Sequence, residues 1–168
     1  MQAFSADEIE AAQRTVYAAT PPTPQYAWPL LRQRLGTEVW VKHENHTPLG
    51  AFKLRGSLVY IQGLAQREPN GRGVIDGMAC RVADEEPLAL IRRDVEGVVA
   101  VSDDEVAAAM RAMFSDTHNA AEGAGAASLA AAMQQRDRWR GQAIGVTLCG
   151  GNVDRALFAR VLAEESRG

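Results

Sequence analysis

Hydrophobic and polar residues alternate along one short segment, Glu38 to Glu44 (EVWVKHE). Alternation at period two is typical of a half-buried β-strand. A second segment, AIGVTL at Ala143 to Leu148, is almost wholly apolar, which predicts a buried strand. A third segment, GVVAVS at 97–102, is also predicted to be a strand.

Helical patterns separate these strands. Ser5 to Glu8 and Ser102 to Glu105 are capping boxes, in which the serine side chain satisfies a free helix N–H and the glutamate reaches back. We therefore expect a helix from Ser5 to about Ala19 and another after Ser102. Further helices are predicted from Phe52 onward, near 84–93, over 122–136 and after Asn152. Strands that alternate with helices predict an α/β fold, with a mainly parallel sheet flanked by helices.

The most loop-like stretch is Arg67 to Gly77 (REPNGRGVIDG), which is rich in glycine, proline and charge. The sign of the charge changes here, because residues 1–75 carry 8 basic and 6 acidic side chains and residues 76–168 carry 10 and 15. This predicts an N-terminal segment 1–75 and a C-terminal α/β segment 76–168. A chain of 168 residues can bury one core, so both segments are expected to pack as a single domain.

Composition limits the classes of partner. With 46% hydrophobic and 23% charged residues the chain is typical of globular proteins, and it has no clustered basic face for nucleic acid. No apolar run reaches the ~18 residues of a membrane span, and the N-terminus has no signal-peptide pattern. Two cysteines, Cys80 and Cys149, suit a reducing compartment. We therefore expect a cytoplasmic protein that binds neither nucleic acid nor membrane.

Only two of the 18 basic residues are lysines, Lys42 and Lys53. Arginine stays charged in proteins, so chemistry that needs a neutral amine has only these two candidates. Lys53 follows a glycine turn and starts a helix among apolar neighbours (GAFKLRG). Burial and a helix N-terminus both disfavour the charged ammonium, which suits covalent attachment to a carbonyl cofactor. The alternative is a lysine whose stem lies along apolar surface with its head in water.

The segment Leu148 to Asn152 (LCGGN) joins a predicted strand to a helix through two glycines. Ligands gather at the carboxyl ends of strands in open parallel sheets, and glycine lets a ligand approach the backbone. Cys149 is therefore a candidate hydrogen-bond donor or thiolate nucleophile, the alternative being a small buried apolar residue. The three histidines, at positions 43, 46 and 118, lack ligand spacing to the cysteines, so no metal site is predicted.

Two segments, Val41 to Gly56 (VKHENHTPLGAFKLRG) and Thr147 to Asp154 (TLCGGNVD), together resemble the two ends of a pyridoxal-phosphate enzyme of fold type II. The resemblance extends over nearly all of 23–73 and 76–163, and it is greatest to the threonine/serine dehydratase and threo-3-hydroxyaspartate dehydratase group. It includes DGMACR at 76–81, SDDEV at 102–106 and AEGAGAA at 121–127. The fold that it implies is a truncated fold type II enzyme of the tryptophan synthase β type.

This resemblance implies a cofactor, pyridoxal 5′-phosphate, and a catalytic Lys53 that holds it covalently. Cys149 would face the pyridine nitrogen. The other cofactor-binding residues that the resemblance implies are Phe52, Glu122, Gly150, Gly151 and Asn152. A neutral donor at the pyridine nitrogen leaves the ring less able to store negative charge, which favours prompt loss of a β-substituent.

The implied reaction converts a small β-hydroxy amino acid (threonine, serine or 3-hydroxyaspartate) to a 2-oxo acid and ammonia. The substrate amine would displace Lys53, the freed amine would act as a base near Cα, and the β-hydroxide would leave. The expected partners are a small amino-acid substrate and a second copy of the chain in a homodimer.

The sequence departs from this family between Ile75 and Asp76. The family has an SxGNHG-type loop for the substrate carboxylate and a glycine-rich loop for the cofactor phosphate between these two positions, whereas here they are adjacent. A phosphate without ordered N–H groups loses its main anchors. The alternative function is therefore a catalytically inactive homologue that associates with itself, or with an intact homologue, through an exposed sheet edge.

Overall fold

The computed structural model describes residues 4–67 and 85–163. The chain divides into two compact units, the first formed by Met1–Pro21 and Arg55–Val99 and the second by Pro22–Leu54 and Ala100–Gly168. The predicted boundary between residues 75 and 76 lies outside the described residues, as do Cys80 and the segment DGMACR.

The first unit is helical over its described residues. Helix α1 (Ala6–Ala19) begins at the predicted capping box, where the Glu8 N–H donates to Ser5 Oγ at 3.2 Å and the Ser5 N–H donates to Glu8 Oε2 at 2.7 Å. Helix α3 (Lys53–Arg67) continues into this unit, and α4 (Glu85–Asp94) follows. The three helices predicted here are confirmed.

The second unit contains a three-stranded sheet in the order β1-β2-β3. Strand β2 (Glu38–His43) pairs in parallel with β3 (Ala143–Leu148) and antiparallel with the short β1 (Gln25–Ala27). The predicted strands β2 and β3 are confirmed. Strand β1 was not predicted, because the prolines before it indicated only an extended surface segment.

The described part of the second unit also contains the α-helices α2 (Pro29–Leu35), α5 (Asp103–Thr117), α6 (Gly123–Gln134) and α7 (Arg155–Ala163), and a short 3₁₀ helix at Arg136–Trp139. Helix α2 starts with proline at its first turn and ends at Gly36, whose φ of 70° closes a left-handed cap. Helix α5 begins at the predicted capping box. The Arg34 guanidinium joins α2 to α5, since it donates to both carboxylate oxygens of Asp116 at 2.5 and 2.9 Å.

The core of the second unit lies on one face of the sheet. Val39 and Val41 of β2 and Val146 and Leu148 of β3 are buried there. They belong to one cluster with buried residues of α2, α5 and α6, the last of which contributes several alanines. On the opposite face Gly145 and Thr147 of β3 are exposed. Strand β3 is therefore half-buried, whereas its apolar sequence predicted burial on both faces.

The prediction of a strand at GVVAVS is wrong. Residues 97–102 adopt no strand, and Val98 is 84% exposed. A strand needs a neighbouring strand to take its backbone hydrogen bonds, and within the described part of the chain the sheet holds β1, β2 and β3 alone. The carbonyl of Ala100 instead accepts the side-chain amide of Gln134 at 3.0 Å.

Candidate active site

Backbone hydrogen bonds join the segment before Lys53 to the segment that follows β3. The Phe52 N–H donates to the carbonyl oxygen of Cys149 at 2.9 Å, and Ala51 forms an isolated antiparallel bridge with Gly150. The predicted lysine and the predicted cysteine thus lie on adjoining stretches of backbone, although 96 positions separate them along the chain. Both segments belong to the second unit.

A compact turn presents Lys53 at the first residue of α3. The Thr47 hydroxyl donates to the Ala51 carbonyl at 2.9 Å and accepts the Ala51 N–H at 3.2 Å. The Gly50 N–H donates to the Thr47 carbonyl at 2.8 Å, and Gly50 has a φ of 66° that only glycine adopts easily. The direction of the chain into Lys53 is therefore fixed by one hydroxyl and one glycine.

The side chain of Asn152 ties the same turn to the segment after Cys149. Its Nδ2 donates to the Leu49 carbonyl at 2.8 Å, and a Cβ at Gly50 would stand 2.6 Å from its Oδ1. The Gly151 N–H also donates to the Gly50 carbonyl, at 2.9 Å. The amide of Asn152, which was predicted to contact a cofactor, is thus engaged with the backbone of the lysine turn.

Glu122 reaches the site from the start of α6. Its N–H donates to the Gly150 carbonyl at 3.1 Å. A Cβ at Gly150 would collide with the Glu122 carboxylate, and a Cβ at Gly125 would collide with the Gly150 carbonyl, both well inside the 3.0 Å that real Cβ atoms keep. The glycines therefore allow three segments to meet where a side chain would separate them.

The charges around Cys149 favour a neutral thiol. Burial raises the pKa of Cys149, and the nearby Glu122 carboxylate raises it further, while the Lys53 ammonium acts weakly in the opposite direction. The half-buried side chain therefore keeps its proton at neutral pH and can donate it in a hydrogen bond. A thiolate nucleophile, the other role considered for Cys149, is disfavoured by the same shift.

The structure brings all seven predicted site residues into one region of the second unit. Lys53 and Gly151 are half-buried, Gly150 is buried, and Phe52 is 48% exposed. The sequence patterns did not single out Thr47, although a threonine before a glycine turn was a visible signal. No group of histidine, cysteine and acidic residues that could hold a metal occurs among the residues described.

A buried histidine lies at the end of β2, before the turn that leads to Lys53. His43 is fully buried at the end of β2, and its Nε2 accepts the Trp28 indole N–H at 3.0 Å. Its ring stacks on His46, with ring centroids 4.9 Å apart. Burial lowers the pKa of His43 to about 4, with smaller contributions from His46 and Lys42. The imidazole is therefore neutral in the folded protein at neutral pH.

This depressed pKa predicts a pH-dependent stability. Between a folded pKa of about 4 and the usual 6.5, the unfolded chain binds a proton that the folded chain does not. The stabilisation is complete above 6.5 and is lost as the pH falls toward 4. We expect His43 to lower the free energy of unfolding by about 2 kcal/mol between about pH 7.5 and about pH 5. Urea unfolding at both pH values measures this change.

Two variants isolate the contribution of His43. His43→Gln keeps an acceptor for Trp28 but does not titrate, so its stability should change less over this pH range. His118→Asn is the control, because His118 occupies an exposed left-handed helix cap that asparagine tolerates. If wild type and His43→Gln lost the same free energy of unfolding on acidification, His43 would not be the cause of the pH dependence.

The fold is that of pyridoxal-phosphate enzymes of fold type II. A threonine deaminase of T.th. aligns with a TM-score of 0.69 at 16% identity, over 90% of this chain and 99% of that chain. A pyridoxal 5′-phosphate-dependent aspartate racemase aligns with a TM-score of 0.70 at 15% identity, over 93% and 98%. Residues 71–150 match the family described as pyridoxal-phosphate dependent enzyme. The predicted resemblance is thereby confirmed, as is the predicted α/β fold class.

Relatives with assigned activities are similar over parts of the chain. A phenylserine dehydratase of Ralstonia pickettii is 38% identical over 92 residues, which are 54% of this chain and 28% of that protein. An L-threonine ammonia-lyase of Thermotoga maritima is 29% identical over 101 residues, 60% of this chain and 25% of that protein. An L-threo-3-hydroxyaspartate ammonia-lyase of Pseudomonas sp is 30% identical over 107 residues, 64% and 31%. The matched stretch thus spans between a quarter and a third of these relatives.

Pyridoxal phosphate is the cofactor of the family that matches. The residues present fit its aldehyde and ring end, because an amine and a neutral thiol lie on adjoining segments. Within the described helices none is long and apolar enough to cross a membrane.

Proposed function

We propose that this protein is a pyridoxal-phosphate-dependent dehydratase, or ammonia-lyase, that acts on a small β-hydroxy amino acid. The observation that carries the proposal is the backbone connection between Ala51–Phe52 and Cys149–Gly150, which puts Lys53 beside a neutral thiol. Dehydratase and ammonia-lyase activities are those of the similar proteins named above, and they support the same reaction class here.

Lys53 has two roles in this proposal. Its Nζ would hold the cofactor and, when not attached to it, would act as the base that takes the proton from the substrate Cα and passes it to the leaving hydroxide. When bound, the cofactor supplies the electron-withdrawing group that loosens the bonds at Cα. The half-buried position of Lys53 limits the water that competes for its proton.

Cys149 and Glu122 would orient the cofactor ring. The raised pKa of Cys149 makes the thiol a neutral donor, which would offer a hydrogen bond to the pyridine nitrogen and keep its own proton. A neutral donor at that position would favour loss of a β-substituent over reactions in which the cofactor must hold negative charge for longer. Glu122, held by its N–H on the Gly150 carbonyl, would line the ring edge, and Phe52 would lie on the lysine side of the ring.

The reaction class is tested with the purified chain and excess pyridoxal phosphate. We expect threonine, serine or threo-3-hydroxyaspartate to yield equal amounts of ammonia and 2-oxo acid, at least about 100-fold faster than with free cofactor. Alanine, which has no β-hydroxyl to lose, is the control and should yield neither product. A rate equal to that of free cofactor with all three substrates would contradict the proposed activity.

A second candidate is a catalytically inactive relative that acts by association with itself or with an intact homologue. One observation favours it: the substrate-carboxylate and phosphate loops of the resembled family have no counterpart between Ile75 and Asp76, which are adjacent. Cofactor attachment separates the two candidates, since an inactive relative without a phosphate anchor should not retain the cofactor on gel filtration.

A further inference from the structure

Two amide side chains from distant parts of the sequence contact the turn that presents Lys53. We call residues 47–52 the lysine turn; Asn45 and His46 precede it and follow strand β2. Asn119, on the connection between α5 and α6, contacts these two preceding residues. Asn152, which follows β3, contacts the turn itself. All these residues belong to the second unit.

Asn119 acts as an acceptor. Its Oδ1 lies 2.8 Å from His46 Nε2 and accepts the Asn45 Nδ2–H at 3.2 Å. Its Nδ2 donates to the Thr117 carbonyl at 2.7 Å, and because a carbonyl can only accept, this bond fixes which atom of the amide is the oxygen. The His46 Nε2 that faces Asn119 therefore carries a proton.

The two donors that meet Asn119 are held in place by other contacts. The His46 ring stacks on the buried His43 ring, with centroids 4.9 Å apart, and the His46 N–H donates to the His43 carbonyl at 3.1 Å. The Asn45 N–H donates to the Leu148 carbonyl at 3.2 Å, at the end of β3. Asn119 thus ties an ordered start of the lysine turn to the connection that leads to Glu122.

Asn152 acts as a donor. Its Nδ2 donates to the Leu49 carbonyl at 2.8 Å, and the carbonyl again fixes the orientation of the amide. Its Oδ1 lies against Gly50, where a Cβ would come within 2.6 Å of it. Gly50 has a φ of 66°, so Asn152 contacts the turn at its left-handed residue. The amide therefore holds the turn at its sharpest bend.

The position of Lys53 depends on these contacts more than the rest of the unit does. The turn is surface backbone between β2 and α3, not part of the sheet or of the buried cluster. Segments of this kind open locally at a smaller free energy than the core, and each hydrogen bond to them raises that free energy. Loss of one amide should therefore release the turn before it unfolds the unit.

We propose that Asn119 and Asn152 are positioning residues that hold the lysine turn, and with it Lys53, against the segment that carries Cys149. They act through the turn and not on the substrate. Their part in the reaction rests on the proposed function, since it matters only if Lys53 holds the cofactor. The position of Lys53 itself can be measured without the cofactor.

Competitive labelling of the two lysines tests the proposal. The full chain without cofactor is treated with a trace of acetic anhydride, digested and analysed by mass spectrometry, and the labelling of Lys53 is divided by that of Lys42. Asn119→Ala and Asn152→Ala should each raise this ratio at least about threefold, because release of the turn exposes the half-buried Lys53. A loss of global stability alone would raise the labelling of both lysines together.

Aspartate variants separate the acceptor from the donor. Asn119→Asp keeps oxygens that can accept both bonds, so its ratio should stay within about twofold of the wild-type ratio. Asn152→Asp keeps the size of the side chain but loses the N–H donor, so it should behave like Asn152→Ala. Gln142→Ala is the matched control, because that amide donates to a backbone carbonyl outside the lysine turn, Arg138 at 3.1 Å. Its ratio should equal that of wild type.

Each outcome decides the proposal. An unchanged ratio in either alanine variant would overturn it, as would Asn152→Asp labelling like wild type or Asn119→Asp labelling like Asn119→Ala. If one alanine variant fails to fold by circular dichroism, the other and the aspartate variants still decide. Ratios that shift as expected in a chain without lyase activity would refute the proposed function and leave the positioning of Lys53 intact. Unchanged ratios in an active chain would refute the positioning alone.

Discussion

Replacing Gly125 with alanine is expected to lower the free energy of unfolding by about 3 kcal/mol. The new Cβ would overlap the carbonyl oxygen of Gly150, which is backbone and cannot rotate away as a side chain would. That oxygen also accepts the Glu122 N–H at 3.1 Å, so its displacement breaks a hydrogen bond as well. The first turn of α6 and the turn after Cys149 would have to separate. Urea unfolding followed by circular dichroism measures the loss.

Gly123→Ala is the matched control in the same helix. A Cβ on Gly123 has Val106 Cγ1 as its nearest neighbour at 3.6 Å, which is an ordinary van der Waals contact. Alanine favours helix over glycine by up to about 1 kcal/mol, so this variant should be as stable as wild type or slightly more stable. Equal stability of the two variants would show that α6 and the Gly150 turn are not in close contact.

Lys53→Arg is expected to abolish covalent cofactor attachment and to lower the lyase rate at least about 1,000-fold. Arginine keeps the length and charge of lysine but stays protonated, so it can neither join the cofactor nor take a proton from Cα. Product formation at saturating cofactor measures the rate.

Lys42→Arg is the control for this loss, because Lys42 is the other lysine of the chain. Its Nζ donates to the Thr23 carbonyl at 2.5 Å and lies 3.9 Å from the Glu44 carboxylate, contacts that a guanidinium can also make. This variant should retain the cofactor and at least half of the wild-type rate. If both variants lost cofactor and lyase rate to a comparable extent, Lys53 would have no special role in either.

Local patterns predicted most of the secondary structure because their causes are local. The two capping boxes, at Ser5 and Ser102, each need a serine and a glutamate three residues apart, and both are present as predicted. The alternation along 38–44 marked β2 because its odd-numbered valines face the core. The segment 97–102 was mispredicted because strand propensity says nothing of whether a neighbouring strand is available.

The residues of the candidate site were predicted individually, but the connections between them were not. Lys53 and Cys149 were singled out by rarity, by turn chemistry and by family resemblance, and the structure places them on adjoining segments. The Asn152 contact with the lysine turn and the close approach at Gly125 depend on long-range packing. A sequence shows that a glycine is present, but only the fold shows which atom its missing side chain would meet.

Peptide mapping after borohydride reduction tests the central claim, which is that Lys53 is the residue that holds pyridoxal phosphate. The full chain is loaded with the cofactor, reduced to fix any lysine linkage, digested and analysed by mass spectrometry. We predict one modified peptide that contains Lys53 and an unmodified Lys42. Modification of Lys42 to the same extent, or an unmodified Lys53 with cofactor in excess, would contradict the proposed site.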